Sequence, residues 1–118
     1  METMKRNNVQ LLGNLGNDPD VKEVKAGRRM ARISVATNER WKDASGQWKE
    51  DVQWHPVVAW GKQAELVAEQ LRKGSRVALE GRLVHRSYEA KDGQKRYVTE
   101  VVLSTFKMVN AEVEEPAG

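Results

Sequence analysis

Four tryptophans, Trp41, Trp48, Trp54 and Trp60, fall within the twenty residues WKDASGQWKEDVQWHPVVAW (41–60), and only three other aromatics occur, Tyr88, Tyr97 and Phe106. Lys42, Lys49, Glu50 and Asp51 are interleaved with them. A segment built to fill a core does not carry charge at that density; a binding surface does. Bases stack on flat rings and cations neutralise phosphates, so ring faces spaced among Lys and Arg suit an extended single strand of nucleic acid. A duplex hides its base faces and is selected against. Catalysis is poorly served by the other residues. His55 and His85, the only histidines, are thirty residues apart and neither sits in a metal-ligand spacing such as HExxH. GNLGND (13–18) has neither the ending nor the following helix of a phosphate-binding loop, and Glu50-Asp51 and Asp18/Asp20 lie beside turns, where carboxylates are normally solvated. No catalytic residue, metal site or cofactor is expected.

Rings can be held at fixed spacing by strands, and alternation of residue type marks them. Val9, Leu11 and Leu15 are in phase across a strand at 7–17, with Gly13 permitting a bend and Asp18-Pro19 ending it. A second strand covers Arg28–Asn38, with Ala31, Ile33, Val35 and Thr37 on one face and Met30, Arg32, Ser34 and Ala36 on the other. Residues 42–51 read as a polar loop around Ser45-Gly46, where Trp48 has no clear role beyond packing over a rim. The third strand, Gln53–Trp60, puts Trp54, Pro56, Val58 and Trp60 on one face, with His55, Val57 and Ala59 on the core side. Pro56 lacks an N–H and argues for a sheet edge or a bulge.

KQAELVAEQLRKG (62–74) is the one clear helix, with Ala64, Val67, Ala68 and Leu71 on one side and Gly74 placed for its C-cap. In Ser75–Glu89, Val77, Leu79, Gly81 and Leu83 face inward, while Arg76, Glu80, Arg82, Val84, Arg86 and Tyr88 face outward. Lys91-Asp92-Gly93-Gln94 signals a hairpin turn, and Arg96–Leu103 returns with Tyr97, Thr99, Val101 and Leu103 in phase, which assigns Tyr97 to the core. Five strands with one helix between the third and fourth fit an all-β OB-fold, a Greek-key barrel. A two-layer α+β sheet would give a similar string.

At 118 residues the chain has one domain's worth of sequence, and 39% hydrophobic with 31% charged residues describes a polar-surfaced globular chain. It has no cysteine, which excludes disulfides and thiolate metal sites and makes a reducing cytoplasm the natural compartment. METMKRNNVQ has no apolar run behind its basic residues, so it is not read as a signal peptide, and no stretch reaches the roughly 20 apolar residues that span a bilayer. All 20 basic residues but only 14 of the 17 acidic ones fall in 1–110, a net +6 that favours a polyanion partner. Residues 1–110 read as a single domain and AEVEEPAG (111–118) as a short acidic flexible end.

GNLGNDP (13–19), ISVATNERW (33–41), WHPVVAWGKQAE (54–65), LRKGSRVALEGRL (71–83) and DGQKRYVTEVV (92–102), in this order and spacing, resemble bacterial single-stranded-DNA-binding proteins over about residues 6–110. The resemblance implies an OB-fold domain that assembles into a homotetramer and binds single-stranded DNA in replication, recombination and repair, in the cytoplasm at the nucleoid. It implies stacking at Trp41, Trp54, Trp60 and Tyr88, a subunit contact at His55, and basic positions near the DNA at Lys62 and Lys73. Lys42, Lys49, Arg82 and Arg86 join them as candidate phosphate contacts from their places among the aromatics. Pro56 and Val84 stand where well-known members carry arginine, so fewer phosphate contacts are expected. AEVEEPAG stands in place of the family's long linker and acidic tip ending in phenylalanine, which puts recruitment of replication and repair proteins in question. Two rivals stay open. A replication-restart accessory protein of the primosome type shares the fold but is expected to have fewer stacking aromatics. An OB-fold RNA-binding module is the other, since a preference over the 2′-OH is not legible in sequence.

Overall fold

In the computed structural model, which describes residues 6–109, the elements run β1 (Val9–Leu15), β2 (Asp20–Glu23), β3 (Arg29–Lys42), β4 (Trp48–Trp60), α1 (Lys62–Gln70), β5 (Arg76–Glu89) and β6 (Lys95–Met108). The strands form one sheet in the order β1-β5-β6-β4-β3-β2, and β1 pairs again with β3. That second pairing closes β1, β3, β4, β5 and β6 into a five-stranded barrel with a single helix, the expected all-β OB-fold. The short β2 is additional. It follows Asp18-Pro19 and pairs antiparallel with Arg29–Arg32, on the edge of β3 that meets β1 further along.

Closure depends on β1 touching two strands at once. Gly13 lies opposite Val77 of β5, and the next residue, Asn14, is opposite both Arg76 and Ala36 of β3. A Cβ on Gly13 would run into the Ala36 carbonyl, a backbone group with nowhere to retreat. The expected bend is therefore a close backbone crossing that only glycine permits. Gly81 plays a similar part at the far side of the barrel. A Cβ there would meet the Val102 carbonyl, at the point where the β5–β6 register shifts by one residue.

The core is built by Leu15, Ile33, Val35, Val57, Ala59, Val77, Leu79, Val101 and Leu103 from the strands, by Ala64 and Val67 from α1, and by Leu71 just after it. The helix stops at Gln70, sooner than its periodicity predicts, and Leu71 continues inward in extended conformation. Gly74 is not its cap. With φ at 90° it occupies the following turn and donates to the Leu15 carbonyl at 2.8 Å, while Arg72 Nη1 serves the helix end by donating to the carbonyls of Ala68 and Leu71. Asp18 Oδ1 accepts the Lys73 N–H at 2.8 Å and fastens that turn to the end of β1. Pro56 costs β4 little, because the pairing with β6 is confined to Val57 and Val58 and Pro56 has only β3 beside it.

Two inward assignments fail for one reason. Beyond Gly81 the β5–β6 hairpin outruns the barrel, so Leu83 and Tyr97 keep the inward phase with no core beneath them and are 40% and 77% exposed. Val58 departs in the other direction. It faces away from the core yet is 2% exposed, between Arg32 and Val102 on the neighbouring strands.

Candidate nucleic-acid interface

The segment 42–51, expected as a loop, is half sheet: Lys42 ends β3, Trp48–Asp51 belong to β4, and only 43–47 form the turn. Glu39↔Asp51, Arg40↔Glu50, Trp41↔Lys49 and Lys42↔Trp48 continue the β3–β4 ladder beyond the barrel as a long arm. Its turn is built by Asp43. Oδ1 accepts from the Ser45 hydroxyl at 2.8 Å and from the N–H groups of Ser45 and Gln47 at 3.0 and 2.9 Å. These donors, the Ser45 hydroxyl foremost, hold the Asp43 carboxyl below its ordinary range.

Directly paired residues of a sheet point to the same side, so register decides which rings share a face. Trp48, Trp54 and Trp60 lie on the outer face of β4, opposite Lys42, Ala36 and Met30. Trp41 pairs with Lys49 and lies on the other face. Trp48, Trp54 and Trp41 are 60%, 58% and 47% exposed, whereas Trp60 is half-buried beneath the Arg28 guanidinium, 4.7 Å from its ring centroid. Trp54 is seated on Gly16, where a Cβ would come within 2.7 Å of Cη2 of the indole. That seat was missed in the sequence, although a glycine beside a strand end is a signal of close approach.

The outer face continues across the sheet. Val58 pairs with Val102, and Val102 with Arg82, so Arg82, Val84, Arg86 and Tyr88 lie on the same side as Trp54 and Trp60. Tyr88 is 48% exposed, with the Arg86 guanidinium 5.9 Å from its ring centroid. Arg86 has a prior commitment that sequence did not reveal: its Nε donates at 2.7 Å to Glu100, a buried carboxylate on β6. Arg82 is exposed. Lys42 is exposed, with Nζ 5.8 Å from the Trp48 ring, while Lys49 is on the Trp41 face with Nζ 3.8 Å from Asp43. Lys62 opens α1 just after Trp60, and Lys73 sits in the α1–β5 turn at the barrel end; both are exposed.

His55 is half-buried on the core-facing side of β4, its Nε2 2.8 Å from Thr37 Oγ1. A hollow of about 430 Å³ lies elsewhere, over β1, β5 and β6 between Leu12, Ala78, Phe106 and Lys107. Among the described residues no three His, Asp or Glu side chains group as metal ligands, and no helix is long and apolar enough to cross a membrane.

Residues 6–109 match the single-strand binding protein family. Over 106 residues the chain is 43% identical to single-stranded DNA-binding protein 1 of Chlorobaculum tepidum, a match covering 89% of this chain and 65% of that protein's length. Among solved structures, an SSB of Plasmodium falciparum in complex with ssDNA superposes with a TM-score of 0.81 at 32% identity, covering 93% of this chain and 100% of that one. A deletion mutant of the single-stranded DNA binding protein from Thermus aquaticus gives a TM-score of 0.80 at 31% identity, over 90% of this chain and 51% of that one.

The two outer-face arginines should separate in a stability measurement. Arg86→Ala leaves Glu100 buried without its cation and should lower unfolding free energy by about 1–3 kcal/mol in urea titrations. Arg82→Ala removes an exposed charge and should stay within about 0.5 kcal/mol. Equal stabilities would mean that Glu100 does not depend on Arg86.

Proposed function

The chain belongs to the single-strand binding protein family, and from that premise we propose that it binds and protects single-stranded DNA without sequence preference, in replication, recombination and repair. One observation carries the reading: Trp54, Trp60 and Tyr88 share the outer face of the sheet with Arg82, rings and cation on one continuous surface. Bases stack on the rings, Arg82 and Lys62 meet phosphates, and neither contact discriminates among bases. Trp41 and Lys49, on the reverse of the arm, join the site where the strand passes around the arm's edge. Arg86 acts chiefly by holding its place between Glu100 and Tyr88 rather than as an unencumbered phosphate contact. The protein acts by binding, with no bond made or broken, in the cytoplasm at the nucleoid.

A barrel of this size offers a short path, and a homotetramer extends it by wrapping the strand over several copies. Two features support assembly. Among the described residues Val9–Gly13 pair with β5 on one edge and have no strand on the other, the kind of edge that accepts another chain. His55 stands half-buried beside Thr37 where a further surface would complete its burial. Residues 1–110 act as one OB-fold unit in this reading. The acidic end, 111–118, lies outside the described residues, and contacts with replication and repair proteins are not assigned to it.

Saturating oligo(dT) should quench tryptophan emission strongly, while duplex DNA of equal length should leave it nearly unchanged. Affinity should fall with salt at a log–log slope of about −0.7 per phosphate neutralised, and Trp54→Ala should weaken binding by about 1–3 kcal/mol. Equal quenching by duplex refutes the stacking assignment, and tighter binding of a matched RNA favours the RNA-binding alternative.

His55→Lys tests assembly. A strongly hydrated ammonium buried unpaired at a subunit contact costs several kcal/mol, so the variant should sediment as a smaller species at micromolar concentration while its circular dichroism stays native. A tetramer that persists with unchanged DNA binding removes His55 from the interface.

A further inference from the structure

Trp48 is the tryptophan that no family position accounts for, and the arm gives it a setting like that of the others. It follows the same outer face of β4 as Trp54 and Trp60, at intervals of six residues, or about 20 Å each. It is the most exposed of the four, at 60%. Arg40 and Lys42 stand over its ring at 5.6 and 5.8 Å. A ring that served only to clamp the hairpin would be covered by those side chains; this one keeps most of its surface open to solvent. The charge around it is cationic on balance, with Arg40 and Lys42 on its face against Glu50, which lies opposite Arg40.

We propose that Trp48, with Arg40 and Lys42, is an additional stacking subsite for single-stranded nucleic acid, extending the strand's path along the β3–β4 arm beyond the barrel. This rests on the single-strand-binding reading above. The row Trp48–Trp54–Trp60 is about 40 Å long, room for about a dozen nucleotides at the duplex rise and fewer when the strand is stretched. That length falls within the range served by one OB-fold. Lys42 and Arg40 neutralise the phosphates on either side of the base that covers Trp48, while Glu50 tempers the attraction, so Glu50→Gln should tighten binding modestly.

The test follows Trp48 emission alone, in a Trp41→Phe, Trp54→Phe, Trp60→Phe variant titrated with oligo(dT) carrying a terminal dye, whose anisotropy reports saturation independently. At saturation the Trp48 emission should be quenched. In the otherwise native chain, Trp48→Ala should weaken binding about 5- to 100-fold and Trp48→Phe should recover most of it. Trp48→Phe should also reduce the total quench of the native chain, a readout that does not depend on the triple variant folding. If the native chain is quenched but Trp48→Phe leaves the amplitude unchanged and Trp48→Ala leaves affinity unchanged, Trp48 is a hairpin clamp and the subsite does not exist. If the native chain binds no oligo(dT), the function reading itself fails.

Discussion

The structure depends on a single uninterrupted ladder. Thirteen consecutive residue pairs, from Met30↔Trp60 to Lys42↔Trp48, hold β3 and β4 in one register. Side chains alternate strictly across a strand, so a slip of one residue would carry Trp54 and Trp60 into the space of Val57 and Ala59 and turn the core outward. At the barrel end the register is enforced by burial, since Val57 and Ala59 fill the core. At the arm there is no core to enforce it. There the Asp43 turn, with three hydrogen bonds to one carboxylate oxygen, takes over. Both ends of the ladder are thus fixed by different means, and the tryptophans between them inherit their spacing.

Close backbone approaches do the remaining positioning. Gly13 lets β1 cross from β5 to β3 and so close the barrel behind the ladder. Gly16, three residues on, leaves a flat place for the Trp54 indole, which ties the orientation of a surface ring to the chain segment that completes closure. On the far side of the face, the buried Glu100 carboxylate holds Arg86, and Arg86 lies over Tyr88. The surface proposed to meet a flexible strand is thereby pre-organised, an arrangement that lowers the ordering cost of such binding.

Much of this was legible in the sequence, for a specific reason. Strand alternation over the barrel is imposed by burial, so Ile33, Val35, Val57, Val77 and Leu79 announce their own facing, and the face of Trp54 and Trp60 follows by parity. Alternation no longer reports burial where the strands outrun the core. Polar residues 42–51 read as a loop because nothing buries them, yet Lys42 and Trp48–Asp51 pair as strand, and Trp48 has no assignment by alternation alone. Tyr97 kept the inward phase and was placed in a core that does not reach it. Glu100 gave no signal because its burial depends on the hairpin partner bringing Arg86 across from β5, a contact spanning fourteen residues. Gly74 looked like a helix cap, but its partner is the distant Leu15 carbonyl, which no local pattern encodes.

The outer face that carries Trp54, Trp60 and Tyr88 is the proposed main path of the strand. The four indole N–H resonances in a ¹⁵N-correlated NMR spectrum, assigned by single Trp→Phe substitutions, test it directly. On titration with a saturating oligo(dT), the Trp54 and Trp60 indole signals should shift most, while backbone amides of the core residues Val57 and Leu79 stay near their free positions. A duplex of equal length should move neither indole. Tight oligo(dT) binding that left the Trp54 and Trp60 signals in place would mean that the strand runs over another surface.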